Sequence, residues 1–166
     1  MSDHLVSTTI ETPIGPLTLV ASAVGLRAVL WPDDDPTRVR LGERSDGAAD
    51  PTLAAAAGQL DEYFAGSRRS FDVPLDPVGT DFQRSAWAVL RQIPFGTTIS
   101  YAEQAERMGD RRKARAVGGA NARNPLSIVV PCHRVVGSAG TLTGFAGGVD
   151  TKAWLLAHET AVTGTG

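Results

Sequence analysis

The segment Asp76-Pro77-Val78-Gly79-Thr80-Asp81-Phe82-Gln83 separates two parts of the chain that have different patterns of apolar residues. The proline and glycine at its start are typical of a connecting loop. Thr80 and Gln83 are three residues apart, as in a capping box, where each side chain binds the other residue's backbone N–H at the start of a helix. The segment therefore predicts a domain over residues 1–79 and a second domain over residues 80–166.

The part before this boundary has the pattern of an α/β domain with a small antiparallel sheet and a helix. Apolar residues over 53–64 recur at helical spacing, and Gly66 is placed to end that helix. Residues 32–50 are rich in Asp, Pro and Gly, which favours a loop with a short helical piece around Val39. Residues 71–75 alternate like an edge strand. Three further strands are predicted over residues 5–10, 17–21 and 26–30.

The part after the boundary is predicted to be mostly helical. Three helices are expected in succession, from Thr80 to Ile93, from Ser100 to Gly109 and from Arg111 to Arg123. The second and third are joined by a short turn that contains Gly109, the pattern of a helix-turn-helix. A brief buried extended segment over 127–131 leads to Cys132, and the glycine-rich loop 143–148 precedes a last helix through Trp154.

Composition and charge narrow the class of protein. The chain has 166 residues, of which 42% are hydrophobic and 20% charged, an ordinary globular balance. No apolar run approaches the ~20 residues of a membrane span, and the start lacks the pattern of a signal peptide, so a cytoplasmic protein is expected. Residues 1–79 carry six basic and twelve acidic side chains, whereas residues 80–166 carry ten and six. The basic half is the candidate for binding nucleic acid, with a solvated basic face as the alternative.

Cys132 is the only cysteine, which excludes an internal disulfide and leaves a structural zinc site without enough ligands. A cysteine is a nucleophile only as the thiolate, so a functional Cys132 needs a base, and His133 is the candidate. Neighbouring side chains point in different directions, so a bridging water or a sharp bend would have to connect the two. Glu159 can hold the imidazole if the last helix packs nearby. The alternative is an inert, buried cysteine.

The sequence around Cys132 resembles the O6-alkylguanine-DNA alkyltransferases. The resemblance extends from about Thr80 to Glu159, whereas the first 79 residues match only the outline of that family's N-terminal α/β domain. The matching motifs are Pro131-Cys132-His133-Arg134-Val135, Arg115-Ala116-Val117-Gly118-Gly119-Ala120, Asn124-Pro125, Phe82-Gln83, Ile93-Pro94-Phe95-Gly96, Ser100-Tyr101 and Trp154-Leu155-Leu156-Ala157-His158-Glu159.

The resemblance implies repair of DNA by direct reversal of alkylation. Cys132 would take the alkyl group from guanine O6 and keep it, so that each molecule acts once. His133 would be the water-mediated base, Glu159 would orient His133, and Asn124 would support the turn. No cofactor and no metal are implied, because the lesion is itself the donor. The size of the alkyl group and repair of O4-alkylthymine are left open.

The implied partner is double-stranded DNA carrying O6-alkylguanine, bound through its minor groove. The target base has to be flipped out of the stack. The resemblance gives Arg115 the task of entering the stack and Tyr101 that of crowding the neighbouring phosphate. Small residues on the helix of Arg115 fit a groove only ~6 Å wide, or else tight packing within the domain. The protein is expected to act as a monomer, with cooperative binding left open. The residues expected to contact DNA are Tyr101, Ala114, Arg115, Gly118, Gly119 and Arg123.

The substrate pocket departs from the family's usual pattern. Family members commonly have a tyrosine where Phe145 stands and often a serine where Ala146 stands. The loss of the tyrosine hydroxyl predicts a slower transfer rather than an inactive protein. The resemblance implies that the backbone N–H of Ala146 still reaches O6 and that the carbonyls of Cys132 and Val135 accept from the guanine amino group, as the family's equivalents do. The residues expected to form the pocket are Tyr101, Val135, Phe145, Ala146 and Gly147.

Three other readings compete with alkyl transfer. The first is a lesion-binding protein without transfer activity, a related class in which the acceptor cysteine is typically replaced by tryptophan. The second is a cysteine hydrolase that uses Cys132 and His133, for which no oxyanion-hole motif is recognisable. The third is a transcription regulator that uses the helix-turn-helix, which the small residues on the second helix disfavour.

Overall fold

The computed structural model describes residues 4–142 and 144–164. Its N-terminal half is built on a four-stranded sheet in the order β3-β2-β1-β4, with β1 (Leu5–Ile10), β2 (Leu17–Ala21), β3 (Leu26–Leu30) and β4 (Arg44–Asp46). The strands predicted over residues 5–10, 17–21 and 26–30 are confirmed, and neighbouring strands among them pair antiparallel. The fourth strand was not predicted. It runs parallel to β1, with Ser45 opposite Val6, so the sheet is mixed rather than purely antiparallel.

Helix α1 (Pro51–Ala65) confirms the predicted helix of the N-terminal half. The Asp50 side chain accepts a hydrogen bond from the Leu53 N–H at its start. Gly66 ends the helix with φ of 85°, in the left-handed region that favours glycine. The helix packs on the sheet through its buried face, formed by Leu53, Ala56, Leu60 and Tyr63.

Three local predictions were wrong, because hydrogen bonds that the apolar pattern does not reveal determine the path of the chain in each segment. The loop 32–50 forms turns and β4, with no helix around Val39. Residues 71–75 do not form a strand, since only Leu75 makes an isolated bridge, to Leu26. The buried segment 127–131 consists of turns instead of being extended, and Ile128 has φ of 73°.

The C-terminal half is mostly helical, as predicted. Thr80 and Gln83 form the complete capping box of α2, whose last residue is Leu90 rather than Ile93. Ser100 caps α3, and a 3-10 turn over Arg111–Lys113 precedes α4, which therefore begins at residue 114. The helices are α2 (Asp81–Leu90), α3 (Tyr101–Arg107), α4 (Ala114–Ala122) and α5 (Val149–Thr163), and a short parallel pair joins β5 (Ile99–Ser100) to β6 (Val135–Val136).

One apolar core runs through both halves. It includes Leu19 of β2, Leu60 of α1, Leu90 of α2 and Leu155 of α5, all fully buried. Helix α5 therefore returns to the N-terminal half and packs beside α1. Within residues 4–142 and 144–164, none of the helices has the length and apolar content needed to cross a bilayer.

Candidate active site

Cys132 begins a 3-10 turn (Cys132–Arg134) that follows the buried loop after α4. The side-chain amide of Asn124 forms hydrogen bonds near both ends of that loop. Its Oδ1 accepts from the Leu126 N–H at 3.0 Å, and its Nδ2 donates to the Val130 carbonyl at 2.9 Å. The amide thus fixes the path of the chain into Cys132.

The 3-10 turn separates the environments of Cys132 and His133. Cys132 retains 9% of its surface and lines a cavity, whereas His133 is completely buried. The Nε2 atom of His133 lies 2.7 Å from Oε2 of Glu159 on α5. Its Nδ1 atom has no hydrogen-bond partner among the described residues. The structure therefore brings His133 and Glu159 together, as expected, without a direct bond from His133 to Cys132.

Glu159 is held by more groups than the sequence indicated. Its Oε2 also accepts from the Tyr63 hydroxyl at 2.7 Å and from Arg134 Nη2 at 3.0 Å. Its Oε1 accepts from Arg134 Nε at 2.8 Å and from the Gly96 N–H at 3.1 Å. A carboxylate with this many donors is fixed in one orientation, and it fixes His133 in turn.

The surroundings set the protonation states of these groups. Burial raises the pKa of the Cys132 thiol, while the Asn124 amide and the charge of Lys152 act in the opposite direction. Burial lowers the pKa of His133 and outweighs the effect of Glu159. Burial alone would raise the pKa of Glu159, but the hydrogen bonds from His133 and Arg134 hold it well below its usual range. At neutral pH the site therefore contains a thiol, a neutral imidazole and a carboxylate.

The tautomer of His133 follows from this state. A carboxylate only accepts hydrogen bonds, so His133 Nε2 carries the proton that is directed at Glu159. The Nδ1 atom then carries a free lone pair and is the basic atom of the ring.

Cys132 opens into a cavity of about 760 Å³ between the two halves of the chain. The cavity brings together most of the residues expected for substrate and DNA. Those that line it are Tyr101, Ala114, Arg115, Gly118, Arg123, Asn124, Cys132, Phe145 and Ala146.

Three expected residues do not line the cavity. Val135 is fully buried in β6, opposite Ile99, so its side chain lies behind the site. Gly147 is covered by Trp31, since a Cβ atom there would lie 2.8 Å from the indole ring. Gly119 faces open space on α4. Position 143 of the glycine-rich loop lies outside the described residues.

Phe145 is supported from the N-terminal half. Its ring meets Trp31 edge-on, with the ring centres 5.5 Å apart. The Trp31 indole N–H donates to the Ser127 hydroxyl at 3.1 Å, so one tryptophan contacts both the pocket wall and the loop before Cys132. The apolar wall predicted from Phe145 is present, and its ring carries no donor.

An arginine of the N-terminal loop also reaches the site and was missed by sequence reasoning. Arg38 lines the cavity, binds both oxygens of Asp34 at 2.7 and 2.5 Å, and donates to the Asn124 carbonyl. Its charge lowers the pKa of Cys132, against the larger effect of burial. The i,i+4 spacing of Asp34 and Arg38 was the available signal, but in a loop it does not show which element the arginine would contact.

Lys152 is a second cation that the sequence analysis did not select. It is 1% exposed on α5, and its Nζ lies 5.9 Å from the centre of the Tyr101 ring. Burial lowers the pKa of Lys152, while the neighbouring Cys132 acts to raise it. Helix α5 has no clear separation of apolar and polar faces, so its one lysine gives no sequence signal of such burial.

Comparison with known proteins identifies the class to which this fold and site belong. Two family models cover most of the chain. The ribonuclease-like domain of 6-O-methylguanine DNA methyltransferase matches residues 5–77, and the DNA binding domain of the same family matches residues 81–161. The fold and the site therefore define a protein of the 6-O-methylguanine DNA methyltransferase class.

Individual relatives agree with this class. The chain is 43% identical over 155 residues to the methylated-DNA–protein-cysteine methyltransferase of Methanosarcina acetivorans, covering 90% of this chain and 94% of that protein. It is 45% identical over 164 residues to the protein of that name from Shigella flexneri, covering 94% and 96%. The crystal structure of Mycobacterium tuberculosis OGT in complex with DNA has a TM-score of 0.83 and 43% identity, covering 96% and 94%. The chain belongs to the 6-O-methylguanine DNA methyltransferase family.

Proposed function

We propose that the protein repairs DNA by transferring the alkyl group of O6-alkylguanine to Sγ of Cys132, in a single irreversible turnover. The observation that carries this proposal is the buried pair of His133 and Glu159, 2.7 Å apart, behind a cysteine that opens into a cavity. A nucleophile, a base and a group that orients the base thus lie in one chain of contacts.

The bonds change in one displacement. The bond from Sγ to the alkyl carbon forms while the bond from that carbon to O6 breaks, and O6 keeps the electron pair. The thiol proton passes through a water molecule to Nδ1 of His133. The guanine anion that leaves then takes up this proton from the imidazolium, by way of water, so that its carbonyl is restored and His133 is neutral again. His133 fits the base, because it is neutral and Nδ1 has no hydrogen-bond partner among the described residues.

The captured alkyl group stays on the protein. A thioether is a poor leaving group, and Cys132 is the only cysteine of the chain, so no second thiol can take part in its removal. The alkylated protein is therefore the end product. Repair of O4-alkylthymine would use the same displacement, and the mass measurement below would test it with DNA that contains O4-alkylthymine.

The cavity supports a flipped base as substrate. About 760 Å³ lies within the ~300–1,000 Å³ of small-molecule sites, so a purine fits. Arg115 and Gly118 place α4 at this cavity, and α3 and α4 would act as the helix-turn-helix that enters the minor groove. The relative crystallised with DNA supports DNA as the partner. Residues 1–79 and 80–166 remain our proposed domains, and location in the cytoplasm remains a prediction.

Intact-mass measurement tests the proposal. Wild-type protein is incubated with duplex DNA that contains one O6-methylguanine, and the modified residue is located by peptide mapping. We expect one methyl group, on Cys132, and no further repair by the methylated protein. The Cys132→Ala variant should bind the duplex and gain no mass. Wild-type protein that binds the duplex but keeps an unmodified Cys132 would show a lesion-binding protein instead.

A further inference from the structure

We propose that Tyr63, on helix α1 of the N-terminal half, is a positioning residue that sets how strongly Glu159 binds His133. The inference rests on the proposed function, because it concerns the base of the alkyl transfer. It gives the N-terminal half a part in the reaction besides its contribution to the core.

Tyr63 and His133 share one oxygen atom. The Tyr63 hydroxyl lies 2.7 Å from Oε2 of Glu159, and His133 Nε2 lies 2.7 Å from the same atom. Arg134 Nη2 is a third donor to it, at 3.0 Å. A carboxylate oxygen has about two lone-pair sites, so three donors compete for its electron density. The strength of the hydrogen bond between Glu159 and His133 therefore depends on how much of this electron density the Tyr63 hydroxyl takes.

Tyr63 is a protonated hydrogen-bond donor at neutral pH. Its ring is fully buried, and burial together with the charge of Glu159 raises the pKa of the phenol far above its ordinary value. The hydroxyl cannot ionise next to the carboxylate. Because the interior has a low dielectric constant, this neutral donor acts on Glu159 more strongly than it would in water.

The Tyr63 side chain is also fixed in place. The His158 ring, one residue before Glu159, donates from Nε2 to the Tyr63 carbonyl at 2.8 Å. The Phe64 and Phe95 rings meet the Tyr63 ring edge-on, with centres 5.2 and 6.0 Å away. With its backbone and ring both held, the tyrosine presents its hydroxyl to Glu159 in one geometry.

Removal of the hydroxyl should change the base in a defined direction. In Tyr63→Phe, Oε2 of Glu159 keeps two donors, its negative charge is less dispersed, and it stabilises protonated His133 more. The pKa of His133 then rises. Transfer needs neutral His133, so the rate should begin to fall at a higher pH as the solution is acidified. One hydrogen bond of ordinary strength corresponds to a shift of about 0.5–1 pH unit.

The first test is the pH profile of the single-turnover transfer rate. Leu53→Val is the matched control, because Leu53 is buried on the same helix but lies near its start, away from Tyr63. We expect the acid midpoint to rise in Tyr63→Phe and to stay at the wild-type value in Leu53→Val. An unchanged midpoint in Tyr63→Phe, or an equal rise in both variants, would overturn the proposal.

A second variant guards against loss of folding. Replacement of Tyr63 by 3-fluorotyrosine, introduced at that position alone, keeps the hydroxyl and makes it a stronger donor. The midpoint should then move to lower pH, opposite to Tyr63→Phe. A merely structural contribution of Tyr63 gives no reason for shifts of opposite sign, so two shifts in the same direction would contradict the proposal.

A third measurement separates this inference from the proposed function. The His133 Nε2–H resonance, recorded by NMR without DNA, should move downfield in Tyr63→Phe as the bond to Glu159 strengthens. If the resonance does not move in a protein that still takes up a methyl group on Cys132, the inference about Tyr63 is wrong and the proposed function stands. A moved resonance in a protein that takes up no methyl group sinks the proposed function and leaves the link between Tyr63 and Glu159 standing.

Discussion

Glu159→Gln is the substitution whose cost can best be worked out from the structure. It preserves the shape of the side chain and removes its charge. Arg134, whose side chain is 6% exposed, would lose its counter-ion and stay buried. Breaking such a buried pair costs about 3–5 kcal/mol, a large share of the ~5–15 kcal/mol by which domains are stable. We therefore expect Glu159→Gln to fold only marginally at neutral pH.

Urea denaturation at pH 7 measures this cost. With a slope of about 2 kcal/mol per molar urea, the midpoint should fall by about 1.5–2.5 M. The control is Arg134→Met combined with Glu159→Gln, which removes both charges and should recover part of the loss. A single variant that loses less than about 1 kcal/mol, or a double variant that is weaker than the single, would refute the reasoning.

The contribution of Glu159 to the free energy of unfolding should depend on pH in a defined direction. The pKa of Glu159 is lower in the folded protein than the value of 4.5 expected in the unfolded chain. The unfolded chain thus binds more protons in this range, so the contribution of Glu159 is complete above about pH 4.5 and is lost as the pH falls further. The difference in unfolding free energy between wild type and Glu159→Gln should therefore shrink below that pH. A difference that stays constant down to acid unfolding would contradict the assigned carboxylate.

Three further substitutions test the pocket. Phe145→Tyr should raise the single-turnover rate about 10-fold to 100-fold by supplying a donor to guanine O6, and an unchanged or lower rate would contradict the account of this pocket. Arg115→Ala should slow repair of duplex DNA about 10-fold to 100-fold while reaction with the free O6-methylguanine base stays constant, since only the duplex requires base flipping. Arg38→Met should raise the pKa of Cys132, seen as slower alkylation by iodoacetamide at pH 8, and wild-type kinetics would refute that assignment.

The sequence predicted the elements that short-range contacts determine. The capping box of Thr80 and Gln83 and the end of α1 at Gly66 both depend on residues a few positions apart. Strand β4 was missed because Arg44-Ser45-Asp46 is polar and exposed, and only its pairing with β1 makes it a strand. Its pattern contains no apolar alternation that could reveal it.

The residues of the site likewise divide into those that the sequence reveals and those that only contacts between distant segments bring in. Cys132, His133 and Glu159 could be selected from their chemistry, and the family resemblance supplied Asn124. The hydrogen-bond donors around Glu159 could not be found from the sequence. Tyr63 is 96 residues away from Glu159 along the chain, and nothing in the pattern distinguishes it from the other buried residues of α1. Arg38 likewise contacts Asn124 across 86 residues. Such contacts arise only when the two halves pack together.

The resting state of the site fits the single turnover that we propose. Burial favours the neutral forms of both Cys132 and His133, so the thiol keeps its proton until a substrate carbon lies against it. A permanent thiolate would react with oxidants and other electrophiles, and each such event would consume one molecule irreversibly. The charge of Lys152 favours the thiolate as it forms, while Glu159 favours the imidazolium. In the proposed transfer, charge separation is thus stabilised during the reaction without being maintained beforehand, which would protect an acceptor that is used only once.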